Sequence, residues 1–130
     1  MSEFSNSLAV SASGLKAQAQ RLRHVSENIA NTDTPGYRRK TVSFEAHISG
    51  HNASGVVTTG PVRLDRSDLA QIYDPSHPMA NESGHYDGSN VNLVIEIADA
   101  REAQRSYEAN LKMFDQARQM SSSLMDLLRR

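Results

Sequence analysis

Asn28-Ile29-Ala30-Asn31-Thr32-Asp33-Thr34-Pro35-Gly36-Tyr37 is the stretch in which a long helical pattern ends and the chain changes direction. Proline cannot continue a helical hydrogen-bond ladder and disfavours helical geometry in the residue before it, so the helix must end before Pro35. Asn31 suits a left-handed residue just beyond the helix. Residues 34–37 predict a tight turn, because Pro35 presets its first central position and Gly36 accepts a positive φ at the second. Residues 1–34 are therefore predicted to be one helix and its exit.

A heptad pattern precedes this stretch. Between Phe4 and Asn31 there is no proline and only one glycine. Apolar and small residues recur in alternating steps of four and three, which keeps one stripe of a helix facing a partner. The members of this stripe are Leu8, Ala12, Leu15, Ala19, Leu22, Ser26 and Ile29. We therefore predict a helix over residues 4–31 whose packing seam is this stripe, with Leu8, Leu15, Leu22 and Ile29 as its large members.

A second helical pattern fills residues 92–130, which contain neither glycine nor proline. Asn92 can act as its N-cap, since an asparagine side chain accepts hydrogen bonds from the first backbone N–H groups. One heptad seam contains Leu93, Ile97, Ala100, Tyr107, Leu111, Phe114, Ser121, Met125 and Leu128. Gln104 and Arg118 interrupt the seam, and an adjoining stripe contains Ala103, Ala117, Met120, Leu124 and Leu127. A long C-terminal helix is therefore predicted.

The middle segment, residues 35–91, has a different character. Residues 41–45 alternate in the manner of a strand and residues 56–59 are β-branched, which favours short strands. Glycines and prolines separate them, and we predict two or three strands followed by an extended stretch from Asp74 to Asn90. The predicted fold is mainly α, with long N- and C-terminal helices packing as a coiled coil and a small β/loop middle segment.

Composition predicts a thin core. The chain has 130 residues, of which 38% are hydrophobic and 5% aromatic, and it contains no tryptophan. Both predicted helices are far longer than the average of about 11–12 residues. Their seams either pack on each other inside one small monomer or are covered by neighbouring chains. We favour contacts between chains, because a short chain buries a small share of its own surface.

Charge and cysteine content exclude several classes of function. The net charge is −1, with 14 basic and 15 acidic residues, so nucleic acid and anionic membrane surfaces are not expected partners. The absence of cysteine excludes disulfides and thiolate metal sites. No apolar run approaches the ~20 residues that span a bilayer, so membrane insertion is not expected. Residues 1–8 lack a basic start followed by an apolar run, so no cleavable signal peptide is predicted.

Neither a catalytic site nor a metal site is predicted. His47 and His51 would adjoin on a helix, but their segment has a strand pattern. Asp74, His77 and His85 lie in predicted loops, where loose His/Asp sets are common. No serine lies in a glycine-flanked elbow and no glycine-rich phosphate loop precedes a helix, so neither an enzyme nor a cofactor is indicated. The basic run 38–40 could contact an anionic partner, but we favour a solvated start of a strand.

Three sets of residues resemble one family. Residues 28–37, preceded by Ser13-Gly14-Leu15 and Gln18, are similar to the signature that ends the first helix of flagellar rod and hook proteins. Arg105-Ser106-Tyr107-Glu108-Ala109-Asn110 resembles their C-terminal helix, which often has glutamine at the place of Glu108. Residues 73–78, with Gly84 and residues 90–92, and the short middle segment resemble proximal-rod members. The signature residues carried over are Asn28, Asn31, Thr34, Pro35, Gly36 and Tyr37.

The resemblance implies a structural subunit of the bacterial flagellar basal body. Such subunits are exported unfolded by the flagellar type III apparatus without a cleavable signal, and they assemble in the periplasm with copies of themselves and other rod proteins. The product is a helical tube that transmits motor torque, and the terminal helices form its core as a coiled coil. A soluble helical adaptor, binding a partner through its amphipathic face, is the alternative from another class.

Overall fold

The computed structural model describes residues 2–49 and 52–129, and it is mainly helical. Helix α1 spans Ser2–Ala30 and helix α2 spans Leu93–Leu128. The described middle segment contains six short strands: β1 (Lys40–Thr41), β2 (Phe44–Ser49), β3 (Asn52–Thr59), β4 (Arg63–Leu64), β5 (Gln71–Tyr73) and β6 (His85–Asp87). They pair antiparallel as β1 with β4, β2 with β3 and β5 with β6. Neither described helix is long and apolar enough to cross a membrane.

The end of α1 agrees with the sequence prediction except in the role of Asn31. Gly36 has a φ of +74°, and the Tyr37 N–H donates to the Thr34 carbonyl over 3.2 Å, which confirms the predicted turn. Among the described residues only glycines have a positive φ, so the left-handed exit expected at Asn31 is wrong. The Asn31 side chain instead donates to the Glu27 carbonyl over 2.8 Å. The same carbonyl also accepts from the Asn31 backbone N–H over 3.1 Å, so Asn31 closes the last helical turn with both its backbone and its side chain.

The start of α2 is capped as predicted. The Asn92 side-chain oxygen accepts from the backbone N–H groups of Val94, over 3.1 Å, and Ile95, over 3.4 Å. Its own backbone is extended, with φ −99° and ψ 110°. Asn92 therefore both ends the middle segment and begins the helix.

The hairpin of β2 and β3 packs on α1. The Ser13 hydroxyl accepts from the Val57 N–H over 3.1 Å, and the Thr59 hydroxyl hydrogen-bonds to the Gln20 side chain. The β-branched run predicted as a strand lies inside β3, whereas the strand predicted over residues 41–45 is divided between β1 and β2. His51 lies outside the described residues, and the side chain of His47 is not described.

The stretch predicted to be extended, Asp74 to Asn90, is not extended. The chain turns back so that β6 pairs with β5, and the Asp74 N–H donates to the Gly84 carbonyl over 2.9 Å. The Asp74 and Asn81 side chains each accept from a backbone N–H two residues ahead, which favours turns over extended backbone. Inside this hairpin the ring of His77 stacks on Tyr86, with ring centroids 3.9 Å apart.

The interface between α1 and α2 is small in volume, as the thin-core prediction requires. The helices run antiparallel, since Gly14 lies against Asn110 whereas Asn28 lies against Glu96. Among the described residues the buried hydrophobic side chains are Ala17, Val25, Ala103 and Ala117. The largest fully buried side chains of the described residues are nevertheless polar, Asn28 of α1 and Glu96 of α2.

Candidate functional site

Asn28 lies at the centre of a buried polar cluster where α1, α2 and the turn that follows α1 (residues 31–37, here called the signature turn) meet. Its side-chain oxygen accepts from the Lys40 N–H over 2.9 Å and from the Tyr37 hydroxyl over 2.8 Å. Its side-chain nitrogen donates to the Lys40 carbonyl over 3.0 Å and to the Glu96 carboxylate over 3.3 Å. An asparagine amide has two donor and two acceptor positions. All four are used, so the burial of this polar side chain is compensated.

Arg39 connects the middle segment to α2. Its Nε donates to Glu96 Oε1, and its Nη2 donates to Asp99 Oδ2 over 3.0 Å. Glu96 is fully buried, so its charge needs this partner and the Asn28 amide. Burial alone would lower the pKa of Arg39, but the hydrogen bond and charge of Glu96, with Asp99 beyond it, raise the pKa above its usual range. The guanidinium therefore stays charged at this interface.

The basic run 38–40 is paired within the chain. Besides Arg39, Lys40 Nζ lies 2.8 Å from Glu27 Oε2, and this hydrogen bond and charge lower the pKa of Glu27. Arg38 donates to the carbonyls of Asp65, over 3.3 Å, and Ser67, over 3.1 Å. All three side chains are half-buried. The run does lie at the start of a strand, β1, but the prediction that it is solvated is wrong, because each cation has a partner in α1, α2 or the loop after β4.

The signature turn also contacts the segment that leads into α2. The Gly36 N–H points at the carbonyls of Asp87 and Gly88, at 3.2 and 3.1 Å, and the Ser89 hydroxyl donates to the Thr32 carbonyl. Thr34 donates its hydroxyl to the Asn31 side chain over 3.0 Å. Pro35 is half-buried between these contacts. The turn thus brings the end of α1 and the start of α2 together.

Asn90 carries a second connection between the loops. Its oxygen accepts from the Arg39 N–H over 2.7 Å, and its nitrogen donates to the Asp65 carbonyl over 2.9 Å. The polar cluster includes Arg39 of the basic run, and it also contains two residues that the sequence did not single out, Glu96 and Asp99. The signal that could have revealed Glu96 is a carboxylate inside the apolar run 93–97.

The predicted seam of α1 lies beside the face that contacts α2. Leu8, Leu15, Leu22 and Ile29 are half-buried, and the small residues between them, Ala12, Ala19 and Ser26, are exposed. The α1 residues that lie against α2 are one position earlier in the heptad. They include Gly14, Arg21 and Asn28, which are spaced seven residues apart.

The predicted seam of α2 is divided between two environments. Tyr107 and Phe114 are half-buried, whereas Leu93, Ile97, Leu111 and Leu128 are exposed, Leu111 by 42% and Leu128 by 71%. Two further apolar residues of the adjoining stripe, Met120 and Leu127, are also exposed. The single chain therefore leaves much of this seam uncovered.

The described residues show no group of three His, Cys, Asp or Glu side chains arranged to hold a metal ion. His77 and His85 instead contact the rings of Tyr86 and Tyr73 in the hairpin of β5 and β6. The features with functional potential are accordingly the buried polar cluster and the exposed apolar faces.

Comparison with known proteins assigns the family. The family model "Flagella basal body rod protein" matches residues 8–38, and "Flagellar basal body rod FlgEFG protein C-terminal" matches residues 82–127. The flagellar basal-body rod protein FlgC of Agrobacterium fabrum is 45% identical, with 99% of this chain and 98% of that protein covered. The FlgC proteins of Bacillus subtilis and Escherichia coli O157:H7 are 34% and 30% identical, each covering 94% of this chain and 96% of its own length. The chain therefore belongs to the FlgC family of flagellar basal-body rod proteins and is a structural subunit of that rod, not an enzyme.

Proposed function

We propose that this rod subunit assembles with copies of itself and with other rod proteins by burying the apolar faces that its helices leave exposed. The start of α2 supports this most directly. Val94 is 76% exposed and Ile95 is 52% exposed, whereas Glu96 beside them is 0% exposed. Burial of apolar surface drives association, and a contiguous exposed apolar patch is typical of an interaction site. The apolar residues at this position are therefore available to a neighbouring subunit.

Within one subunit, α1 and α2 are proposed to pack as a coiled coil. The buried positions of α2 support this, because Glu96, Ala103 and Ala117 fall on a single repeat of seven. The large residues of the predicted seams flank this interface. We propose that neighbouring subunits cover them: Leu8, Leu15, Leu22, Ile29, Ile97, Leu111 and Leu128.

The assembled product is proposed to be the proximal part of a helical tube that spans the periplasm and transmits motor torque. The resemblance and the short middle segment support this position. Residues 1–34 and 92–130 would form the core of the tube and residues 35–91 its small middle segment. The chain would reach the periplasm through the flagellar type III export apparatus without a cleavable signal. Its net charge of −1 supports neither nucleic acid nor an anionic membrane surface as a partner.

The relatives do not favour the soluble adaptor. That alternative predicts a stable, strongly helical monomer at micromolar concentration. The rod subunit should instead gain further helicity when it assembles, beyond the helix pair of the single chain, because burial between subunits offsets the entropy of ordering the ends of long helices.

The proposal is tested by complementing a deletion strain of the source organism with single variants. Leu111→Asp places a charge on an apolar, exposed position of α2, where the monomer tolerates it but a packed interface does not. We expect electron microscopy of purified basal bodies to show rods with the intact chain and none with Leu111→Asp. Leu22→Asp, in the predicted seam of α1, should behave in the same way.

Ser122→Asp is the matched control, since Ser122 is exposed on α2 outside the predicted seam and outside the adjoining stripe. It should restore rods and swimming. Normal incorporation of Leu111→Asp would contradict a role of this apolar face in assembly, and normal flagella in the deletion strain would contradict the rod function itself.

A further inference from the structure

The stripe of α1 that contacts α2 contains three different contacts at heptad spacing. Gly14, Arg21 and Asn28 are each seven residues apart. Their partners on α2 are Asn110, the pair Asp99 and Glu102, and Glu96, in the order expected for antiparallel helices. Each contact uses a different physical interaction, and each holds in one alignment of the helices only.

The first contact depends on close approach. A Cβ atom added at Gly14 would lie 2.9 Å from Asn110 Oδ1, closer than real Cβ contacts allow. The Asn110 side chain is itself held by a hydrogen bond of 3.0 Å to the Ser106 carbonyl. A larger α1 residue opposite Asn110 would therefore force this side chain to move and to strain or lose its hydrogen bond.

The second contact is ionic. Arg21 Nη2 lies 3.3 Å from Asp99 Oδ1 and 3.5 Å from Glu102 Oε2. Asp99 also accepts from Arg39, so the two arginines approach α2 from α1 and from the middle segment. A shift of α2 by one heptad would separate these charges by about 10 Å, since seven residues rise about 1.5 Å each.

The third contact is the buried pair of Asn28 and Glu96. Both are 0% exposed, and the carboxylate depends on the Asn28 amide and the Arg39 guanidinium. In any other alignment Glu96 would be buried without partners or Asn28 would lose an acceptor. An uncompensated buried charge is strongly destabilising.

Apolar packing discriminates much less between alignments. In the described part of the two helices, the buried hydrophobic residues are three alanines and one valine. Such small side chains leave similar gaps wherever they meet, and larger apolar residues of α2 remain exposed. Polar groups at seam positions are known to select one register of a helix pair at some cost in stability.

We propose that Gly14, Arg21 and Asn28, with Arg39 and Glu96, determine the register between the two helices, and that the apolar residues supply stability without selecting it. The register decides which residues lie side by side on the exposed faces of the helix pair. The inference concerns the single chain, so it does not depend on the proposed mode of assembly.

Spin labels can measure the register directly. The chain contains no cysteine, so Lys16→Cys and Ala98→Cys, both at exposed positions, introduce one label on each helix. Pulsed dipolar spectroscopy of the full chain should give one narrow distance distribution. A broad distribution without a defined maximum would overturn the proposal, because no single register would then exist.

The test variant Arg21→Met/Arg39→Met/Glu96→Leu replaces the charges by apolar side chains of similar size. We expect its helical circular-dichroism signal to persist while the distance distribution broadens or gains a second maximum, as expected for helices displaced by about 10 Å. The matched control Arg66→Met/Glu108→Leu/Arg118→Met also makes two Arg→Met changes and one Glu→Leu change, but at exposed positions, and it should retain the wild-type distribution.

If the triple variant loses its helical signal, a variant with fewer changes can be measured instead. Arg21→Met/Glu96→Gln removes two of the three charges, leaves Arg39 in place, and keeps a carbonyl oxygen that can accept from Asn28 and Arg39. It should broaden the distribution relative to wild type. An unchanged narrow distribution in whichever variant stays helical would show that the polar contacts do not determine the register.

Discussion

Asn28 is the residue at which the signature sequence, the first helix and the second helix meet. Its amide bridges the backbone N–H and carbonyl of Lys40 as a neighbouring strand would, and it also contacts Tyr37 and Glu96. Among side chains of this size, only an amide offers two donor and two acceptor positions. The requirement for asparagine here therefore has a physical cause.

Substitution of Asn28 by aspartate should destabilise the fold despite its equal size. The change replaces a donor by an oxygen that faces the Lys40 carbonyl and the Glu96 carboxylate. We expect a loss of about 2–4 kcal/mol in the free energy of unfolding at neutral pH, since a donor is lost and two buried carboxylates adjoin. Two adjoining carboxylates share a proton, which raises the folded-state pKa, so stability should partly return as the pH falls. Urea unfolding at several pH values measures this, and pH-independent destabilisation would contradict it.

Removal of the Tyr37 hydroxyl should destabilise the fold less than the change at Asn28. Tyr37→Phe removes the hydroxyl that donates to Asn28, at an expected cost of about 1 kcal/mol in the free energy of unfolding. Burial raises the pKa of Tyr37 above its usual 10.0, so its contribution is present below pH 10 and is lost as the pH rises through the higher folded-state pKa. Thermal unfolding should show less alkaline destabilisation in the variant. Tyr73→Phe, on a ring that is 66% exposed, is the control and should have little effect.

At the scale of the element, the Asn92 N-cap stabilises the first turn of α2. Asn92→Ala removes the acceptor for the N–H groups of Val94 and Ile95. We expect the free energy of unfolding to fall by about 1 kcal/mol, and the first turn to exchange its amide hydrogens faster. Asn92→Ser retains a capping oxygen and should come close to wild type. Equal stability of the alanine and serine variants would show that the tertiary contacts of residues 87–91 determine this end of the helix without the cap.

Helix α1 has three faces with different surroundings. One face contacts α2 through Gly14, Arg21 and Asn28, and another contacts β3 through Ser13 and Gln20. The third face is the half-buried leucine stripe. A helix of 29 residues can hold all three only because each face repeats at heptad spacing along its length.

At the scale of the whole molecule, a substitution at the apolar start of α2 should affect assembly without lowering the stability of the free subunit. Val94→Asp places a carboxylate in the first turn of a helix, where the helix dipole favours a negative charge by about 0.3–1 kcal/mol. Because Val94 is 76% exposed, the free chain should unfold at an equal or slightly higher temperature than wild type.

The same substitution should prevent incorporation into basal bodies, because it places a charge in a surface that we propose is buried between rod subunits. Val94→Leu keeps the surface apolar and is expected to assemble. Electron microscopy of complemented strains, with thermal unfolding of the purified chains, measures both effects. Normal rods containing Val94→Asp would show that the start of α2 faces solvent in the assembly.

The sequence by itself determined the two long helices, the turn after the first helix and the family. Pro35 and Gly36 predict the turn after the first helix, and Asn92 predicts the start of the second, because these residues act through local backbone geometry and nearby N–H groups. The same local signature residues carry the family resemblance, which the comparisons confirm.

Only the tertiary structure decided which faces the two helices bury against each other. Hydrophobic periodicity identifies residues that avoid water, but it does not distinguish contacts inside a chain from contacts between chains, so the leucine seams stay a prediction about assembly. The face that α1 turns toward α2 contains Gly14, Arg21 and Asn28, and its partners lie 68 or more residues away in sequence. The buried pair of Asn28 and Glu96 could not be predicted, because the hydrogen bonds that compensate its burial come from residues distant in sequence.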